Sequence, residues 1–439
     1  MLLVVDRTKR WQYCPMDNVL RTILQEWQIK KLPKVISRDF KLEVNKPLVN
    51  NATVITGFRR VGKTYIIFEA IEKLLTNYSR KEVVYINFED ERLINPSAEL
   101  LTNLIPEIIS MWGNPPKYLF LDELQVVENW SKWVRRMLDN EDIQIFITGS
   151  SSKMSSAELP TELRGRAWEK KIYPLTFREF LKFKNVDNDF LSLTANQIAN
   201  YKFLFEEYLR FGGLPAVVLT EEERKHELLQ SYFQTVVQKE IMERNKVENE
   251  LAMKTLLKLL FNSTFITISK LHNSLKSLGI AVGKSTVDNY LSYIENSCFM
   301  DQLYIFNAST INQLQYPRKV YFVDTGLMTA LSTNLSNNRG KLLENLMYIK
   351  LKKEGERITY YKDKTDNEVD FLVWKEEKIE AMYQVCVDLT DEETRSREIK
   401  SIIRAGKKLG CSNLNLVTSV KPEGLVIPKN INVIEMVVN

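Results

Sequence analysis

The chain has 439 residues, of which 44% are hydrophobic and 27% charged, and it carries a formal net charge of +5. That length exceeds one ordinary core and predicts two to four domains. The small positive charge permits contact with nucleic acid without demanding it. Two histidines and four scattered cysteines exclude a multi-histidine metal centre, a disulfide framework and a zinc site built on C-x-x-C pairs.

No stretch approaches the 18 consecutive apolar residues of a membrane span. The opening MLLVVDRTKRWQYC passes at once into charge and aromatics and does not read as a signal peptide. A cytoplasmic protein without membrane contact is therefore expected.

Residues 1–50 read as an N-terminal extension, with helices expected over Met16–Lys30 and Ile36–Val44. From residue 51 short apolar runs alternate with helical patterns. Strands are expected at Thr53–Thr56, Val83–Glu89, Lys117–Glu123 and Ile143–Gly149, and helices at Thr64–Asn77 and Trp130–Asp139. Buried strands alternating with helices predict a parallel sheet covered on both faces, an α/β architecture over 51–180. A helix-rich section opens at Tyr173, covers 181–320 and shows no strand run until about Val320. Helix and strand mix again over 321–439.

Between the first strand and the first long helix stands Gly57-Phe58-Arg59-Arg60-Val61-Gly62-Lys63-Thr64, which fits G-x-x-x-x-G-K-[ST] in strand–loop–helix context. Gly57 and Gly62 allow the tight turn that points successive backbone N–H groups at phosphate oxygens. The following helix aims its positive end at the same anion. Lys63 places an ammonium against the β- and γ-phosphates, and Thr64 offers a hydroxyl to Mg²⁺. The nucleotide-binding stretch is taken as Gly57 through Tyr65.

The strand YLFLDE ends in Asp122 and Glu123. Asp122 is the candidate metal residue and Glu123 the candidate base that polarises the attacking water. The competing role for Asp122 is an ordinary helix N-cap. Thr148-Gly149-Ser150-Ser151 closes a third strand, where Thr148 can sense the γ-phosphate or serve merely as loop. Arg164 and Arg166 are candidates to stabilise charge on the transferred phosphoryl group, in cis or from a neighbouring subunit of a homo-oligomer. A solvated basic turn is their other reading.

In this order GFRRVGKT, YINFED, LFLDELQ, TGSSSKM, LRGRAWEKKIYPLTFREFL, YLRFGGLPAVV, FVDTGL, GKLLEN and EVDF resemble a family of archaeal and bacterial AAA+-type ATPases with a C-terminal nuclease-like domain. The resemblance covers residue 51 to the C-terminus. It implies a P-loop NTPase αβα sandwich of the ASCE type with a parallel sheet, then a helical and winged-helix region and a C-terminal α/β restriction-nuclease-like domain. It also implies ATP with Mg²⁺ as ligands, Glu123 as the catalytic acid residue and Thr148 as sensor.

Residues 267–304 repeat the helix–turn–helix–extended order of a winged helix. Ile268, Leu271, Leu275 and Leu278 form one apolar face, Gly279 stops the first helix, and Ser285 is placed to cap the second. Val287, Tyr290, Leu291 and Ile294 would point inward. Lys284, Ser285, Thr286, Asp288 and Asn289 would meet duplex DNA, although such modules also bind proteins. In the last domain Glu344 and Asp370 occupy metal-ligand places of restriction-like nucleases. In Gln384-Val385-Cys386, however, a cysteine stands where the lysine is expected. The leading reading is an ATPase that couples hydrolysis to domain rearrangement on DNA. An ATP-regulated nuclease of mobile-element or defence type and a nucleotide-switched protein-binding module are the rivals.

Overall fold

The computed structural model describes residues 16–45, 50–149, 163, 165–186, 194–332, 339–365, 367–422 and 424–437. By internal contacts the chain divides into two units. One comprises Met1–Thr56 and Gly62–Lys171, the other Gly57–Val61 and Ile172–Asn439.

The first unit contains α1 (Met16–Ile29), β1 (Ala52–Gly57), α2 (Lys63–Leu74), β2 (Val83–Asn87), α3 (Ala98–Trp112), β3 (Tyr118–Asp122), α4 (Trp130–Asn140), β4 (Gln144–Thr148) and β5 (Ala167–Ile172). Its sheet runs β2-β3-β4-β1-β5. β2 with β3, β3 with β4 and β4 with β1 pair in parallel, so β4 is inserted between the strand before the glycine-rich loop and the strand that ends in Asp122. The near-continuous apolar strands follow from burial on both faces: Val54, Val84, Leu121 and Ile147 are all fully buried.

The helix expected over Met16–Lys30 forms. It buries Leu20, Ile23, Leu24 and Trp27, each worth about 1.5–3 kcal/mol as transferred apolar surface. The Trp27 indole N–H is anchored on the carbonyls of Val83 (2.8 Å) and Arg80 (3.1 Å). The helix expected over Ile36–Val44 does not form, and that stretch is irregular. Leu42 and Val44 are buried while Lys41 and Glu43 are exposed, the two-residue alternation of extended chain rather than a helical period. Strand β5 was hidden from the sequence by its charges. It pairs at the sheet edge, where the Thr56 hydroxyl donates to Glu169 (2.7 Å) and the Ala52 N–H to the Arg166 carbonyl (2.9 Å).

The second unit begins with α5 (Phe177–Phe183), α6 (Ala195–Phe211), α7 (Pro215–Leu219), α8 (Glu222–Thr235, continuing as a π-helical stretch, Val236–Glu243) and α9 (Glu250–Phe261). β6 (Phe265–Ile266), α10 (Ile268–Ser277), α11 (Lys284–Asn296), β7 (Met300–Leu303), α12 (Thr310–Gln315), β8 (Arg318–Phe322) and α13 (Thr325–Leu331) follow. The three short strands form an antiparallel sheet in the order β6-β8-β7. Leu271, Leu275, Val287, Tyr290, Leu291 and Ile294 are buried as expected, but Leu278 is 61% exposed. Leu278 is the C-cap of α10, beyond the last residue of its apolar face. Gly279 ends the helix with φ +78°. Ser285 does not cap α11; the cap is Gly283, one residue before the helix begins.

The unit closes with α14 (Arg339–Lys353), β9 (Arg357–Lys362), β10 (Glu368–Lys375), β11 (Lys378–Val385), α15 (Glu392–Leu409), β12 (Leu414–Thr418) and β13 (Ile431–Glu435). They build a mixed sheet, β13-β12-β11-β10-β9, antiparallel from β9 to β11 and parallel from β11 to β13.

The FGGLP and FVDTG segments interlock. Asp324 caps α13 through the N–H groups of Gly326 (2.9 Å) and Leu327 (3.3 Å) and also accepts from the Gly213 N–H at 2.8 Å. A Cβ on Gly212 would lie 1.9 Å from the Asp324 carboxylate. The approach therefore requires glycine, and Gly212 holds φ +74° as well.

Candidate active site

The turn after β1 follows the backbone demands of its sequence. Gly57 holds φ +141°, and a Cβ there would lie 2.3 Å from the Ile172 carbonyl oxygen. Gly62 holds φ +93°, and Arg60, which is not a glycine, sits at φ +75°. Phe58 and Val61 are fully buried. Arg59 pairs with Glu240 (2.9 Å), and the Arg60 guanidinium lies over the Tyr232 ring at 5.3 Å. Lys63 opens α2 and is 5% exposed, while Tyr65 is 51% exposed.

One hydrogen bond ties this turn to the acidic strand end: the Thr64 hydroxyl donates to Asp122 Oδ2 at 2.9 Å. The same oxygen accepts from the Tyr85 hydroxyl at 2.9 Å, and Asp122 Oδ1 accepts from the Thr148 hydroxyl. Asp122 is 2% exposed. Burial pushes its carboxyl pKa up, against the three hydroxyl donors that favour the charged form. Asp122 is no helix N-cap, because the next residue, Glu123, has left-handed backbone (φ 55°) and only a single 3₁₀ turn follows. That conformation is costly for a side chain other than glycine and is found where a site needs a particular direction. The Glu123 N–H donates to Thr148 Oγ1 at 3.0 Å, and its carboxylate accepts from Gln125 at 2.5 Å.

The structure thus brings Thr64, Asp122, Glu123 and Thr148 together beside Lys63. The order β3-β4-β1 is the reason, since it sets the ends of three strands side by side. Arg166 pairs instead with Asp139 of α4. Arg164, Ser150 and Ser151 lie outside the described residues. Tyr85 was given no role from the sequence, although YINFED was among the recognised segments. Burial and then the Asp122 charge push its phenol far up, so it stays a donor. A hydroxyl and a carboxylate are the hard oxygen donors that suit Mg²⁺. No group of three or more His, Cys, Asp or Glu among the described residues is placed to hold a metal ion.

Residues 49–181 match the family model described as an AAA domain, and residues 202–339 match a domain of unknown function, DUF8612. The chain belongs to an AAA-type P-loop ATPase family. It is 38% identical over 401 residues to the uncharacterized protein MJ1544 of Methanocaldococcus jannaschii, covering 90% of this chain and 87% of that one. An uncharacterized protein of Haemophilus influenzae is 31% identical over 331 residues, 74% of this chain and 80% of the other. Among solved structures, the Walker-type ATPase PABY2304 of Pyrococcus abyssi aligns with a TM-score of 0.44 and 12% identity, over 74% of this chain and 97% of that one. The AAA domain makes the first unit an ATP-binding and ATP-hydrolysing module. No helix among the described residues is long and apolar enough to cross a membrane.

A second acidic cluster of the ATPase was only half legible. Glu344 on α14 and Asp370 on β10 do meet, but around a lysine from another strand. Lys319 Nζ of β8 lies 3.0 Å from Glu344, 2.8 Å from Glu368 and 2.8 Å from Asp370, and Lys319 is 2% exposed. The Tyr321 hydroxyl donates to Glu344 at 2.6 Å, and the Val385 N–H donates to Asp370 at 2.9 Å. Burial opposes the Lys319 charge, yet Asp370 and Glu344 hold its pKa well above the ordinary lysine value. Burial pushes Asp370 itself up to about 7. Cys386 lies in the core with Val369, Leu372 and Met382. Burial, then Glu398, lifts its thiol to about 11, so it carries no charge at neutral pH.

Proposed function

We propose that the ATPase holds Mg-ATP over Gly57–Tyr65 and hydrolyses it with Glu123 as base. Backbone amides from Gly57 to Thr64 and the N-terminus of α2 cradle the phosphates, and Lys63 faces the β- and γ-phosphates. Thr64 and Asp122 hold the magnesium ion, which when bound offsets phosphate charge. Glu123 takes the proton of the water that attacks the γ-phosphorus, and ADP leaves. Thr148, bonded to both Asp122 and the Glu123 amide, registers whether the γ-phosphate is present. Arg164 or Arg166 supplies charge to the transferred group, in its own chain or in a neighbouring copy. The Thr64–Asp122 hydrogen bond carries the reading, because it joins two segments recognised separately in the sequence.

Hydrolysis drives rearrangement of the second unit on duplex DNA. What supports this is the order α10, α11, β7, β8, which reads as a winged helix, with Lys284, Ser285, Asp288 and Asn289 exposed at the start of α11. The C-terminal sheet is read as a nuclease-like scaffold that does not cut. Lys319, a buried cation already paired with its acids, favours this over the nuclease rival.

ATP turnover with Mg²⁺, measured with and without duplex DNA, tests the reading. Stimulation by duplex is the expected result, and no change together with no duplex binding at low salt would remove the DNA part. Lys63→Ala is expected to abolish nucleotide binding. Glu123→Gln is expected to bind ATP and stop turnover; full turnover in that variant would remove Glu123 from the chemistry.

A further inference from the structure

Three consecutive side chains of the phosphate loop are gripped within the second unit, to which Gly57–Val61 belongs by internal contacts. Phe58 is fully buried, its ring 6.0 Å from that of Phe299, which in turn lies 5.6 Å from Phe233 of α8. The Arg59 guanidinium donates to Glu240 Oε1 at 2.9 Å. The Arg60 guanidinium lies 5.3 Å over the ring of Tyr232, also on α8. Glu240 stands in the π-helical stretch that continues α8, is 6% exposed, and accepts from Arg244 on its other oxygen at 2.7 Å.

The backbone explains what this grip does. Arg60 holds φ +75°, a conformation that strains any residue with a Cβ. Such strain persists only where the surroundings over-determine it, and it gathers at ligand sites. Position 60 lies inside the turn whose N–H groups are to meet the phosphates, so relaxation there would turn donors away from the anion. The π-helical form is rare and recurs at functional sites. Here it carries the carboxylate that engages Arg59. A carboxylate buried to this degree depends on its cations, which ties Arg59 to Glu240 rather than to incoming phosphate.

We propose that Glu240 is a positioning residue for ATP. By holding Arg59, with Tyr232 under Arg60, it keeps the phosphate loop in its binding shape before the nucleotide arrives. Preorganisation raises affinity by removing an ordering cost from the binding step. The inference rests on the reading that places the phosphates over Gly57–Tyr65, and it needs no DNA. The opposite role for the same pair, in which Glu240 withholds Arg59 from the phosphates, predicts an effect of the opposite sign.

The test titrates the full chain with N-methylanthraniloyl-ATP and Mg²⁺ and follows ATP turnover in parallel. Glu240→Gln keeps the shape of the side chain and removes its charge. Its dissociation constant should rise about tenfold, with KM rising alike and kcat falling far less, as for lost binding rather than lost chemistry. Tyr232→Leu leaves the carboxylate in place and should also weaken binding several-fold, so the test survives a Glu240 variant that melts early. Arg59→Gln combined with Glu240→Gln should bind little worse than either alone, the mark of two residues acting as one. Tighter binding in Glu240→Gln overturns the proposal and gives Arg59 to the phosphates. Unchanged binding in both Glu240→Gln and Tyr232→Leu overturns it too, as does additivity in the double variant. A parent that binds the nucleotide no better than Lys63→Ala is a different failure: it removes the phosphate-loop reading itself, and this inference with it.

Discussion

Asp122 and Asp370 are both buried carboxylates on β-strands, and burial pushes both toward the neutral form. Their surroundings differ in one respect that decides their chemistry. Asp122 accepts from three hydroxyl groups, Thr64, Tyr85 and Thr148, neutral donors that orient it without cancelling its charge. Asp370 accepts from the Lys319 ammonium, which is shared with Glu344 and Glu368. A buried carboxylate set among hydroxyls remains available to an incoming cation. One that already holds an ammonium has its counterion built in. Asp324 is a third solution: three backbone N–H groups and no cation.

The sharpest way to break this comparison is Lys319→Met, which strands three acids without their cation. The expected loss is ~3–5 kcal/mol in denaturant unfolding. The variant should recover stability as pH falls, since protons then replace the ammonium. A loss under ~1 kcal/mol would mean that the acids do not depend on Lys319.

Asp324 gives the next effect. Burial lifts its pKa to about 6, above the ordinary aspartate value of about 3.9. Its folded pKa is raised, so its stabilising contribution is complete below about pH 4 and is lost as pH rises through about 6, a swing of ~3 kcal/mol. Melting temperatures of Asp324→Asn against the parent from pH 4 to 7 should show a flatter profile in the variant.

Smaller, and opposite in sign, are Asp122→Asn and Asp370→Asn. The first removes a buried charge whose side-chain partners shown here are hydroxyls, and should leave the fold as stable or more so while turnover collapses. The second deprives Lys319 of one partner and should cost about 1.5–3 kcal/mol. Equal shifts in melting temperature would erase the distinction. The smallest effect is Arg166→Ala, where a partly exposed pair with Asp139 is worth under ~1 kcal/mol. Collapse of turnover without loss of stability would instead place Arg166 in the chemistry.

Much of the first site was legible because its parts are local. The loop's glycines, lysine and hydroxyl are consecutive, and Asp122, Glu123 and Thr148 each end an apolar strand that announces itself by composition. Tyr85 was not legible as a partner, because an aromatic inside a strand looks like core until the neighbouring strand is known. Lys319 was invisible for the same reason. It stands in an ordinary strand pattern, distant along the chain from the acids it joins. Leu278 was misplaced by one residue and Ser285 by two at helix ends, where the periodic signal gives out and cap geometry decides. The Ile36–Val44 stretch holds enough apolar residues for either period, and packing chose the extended one.

The sequence by itself determined the strand–loop–helix that carries the phosphate loop, and the residue chemistry of that loop, since period and tight-turn residues act over a few positions. Tertiary structure alone decided that β4 separates β1 from β3, that Thr64 reaches Asp122, and that Lys319 rather than Cys386 faces the second set of acids. Those facts depend on which distant segments pair, and pairing is settled by the joint burial of whole faces rather than by any residue's neighbours along the chain.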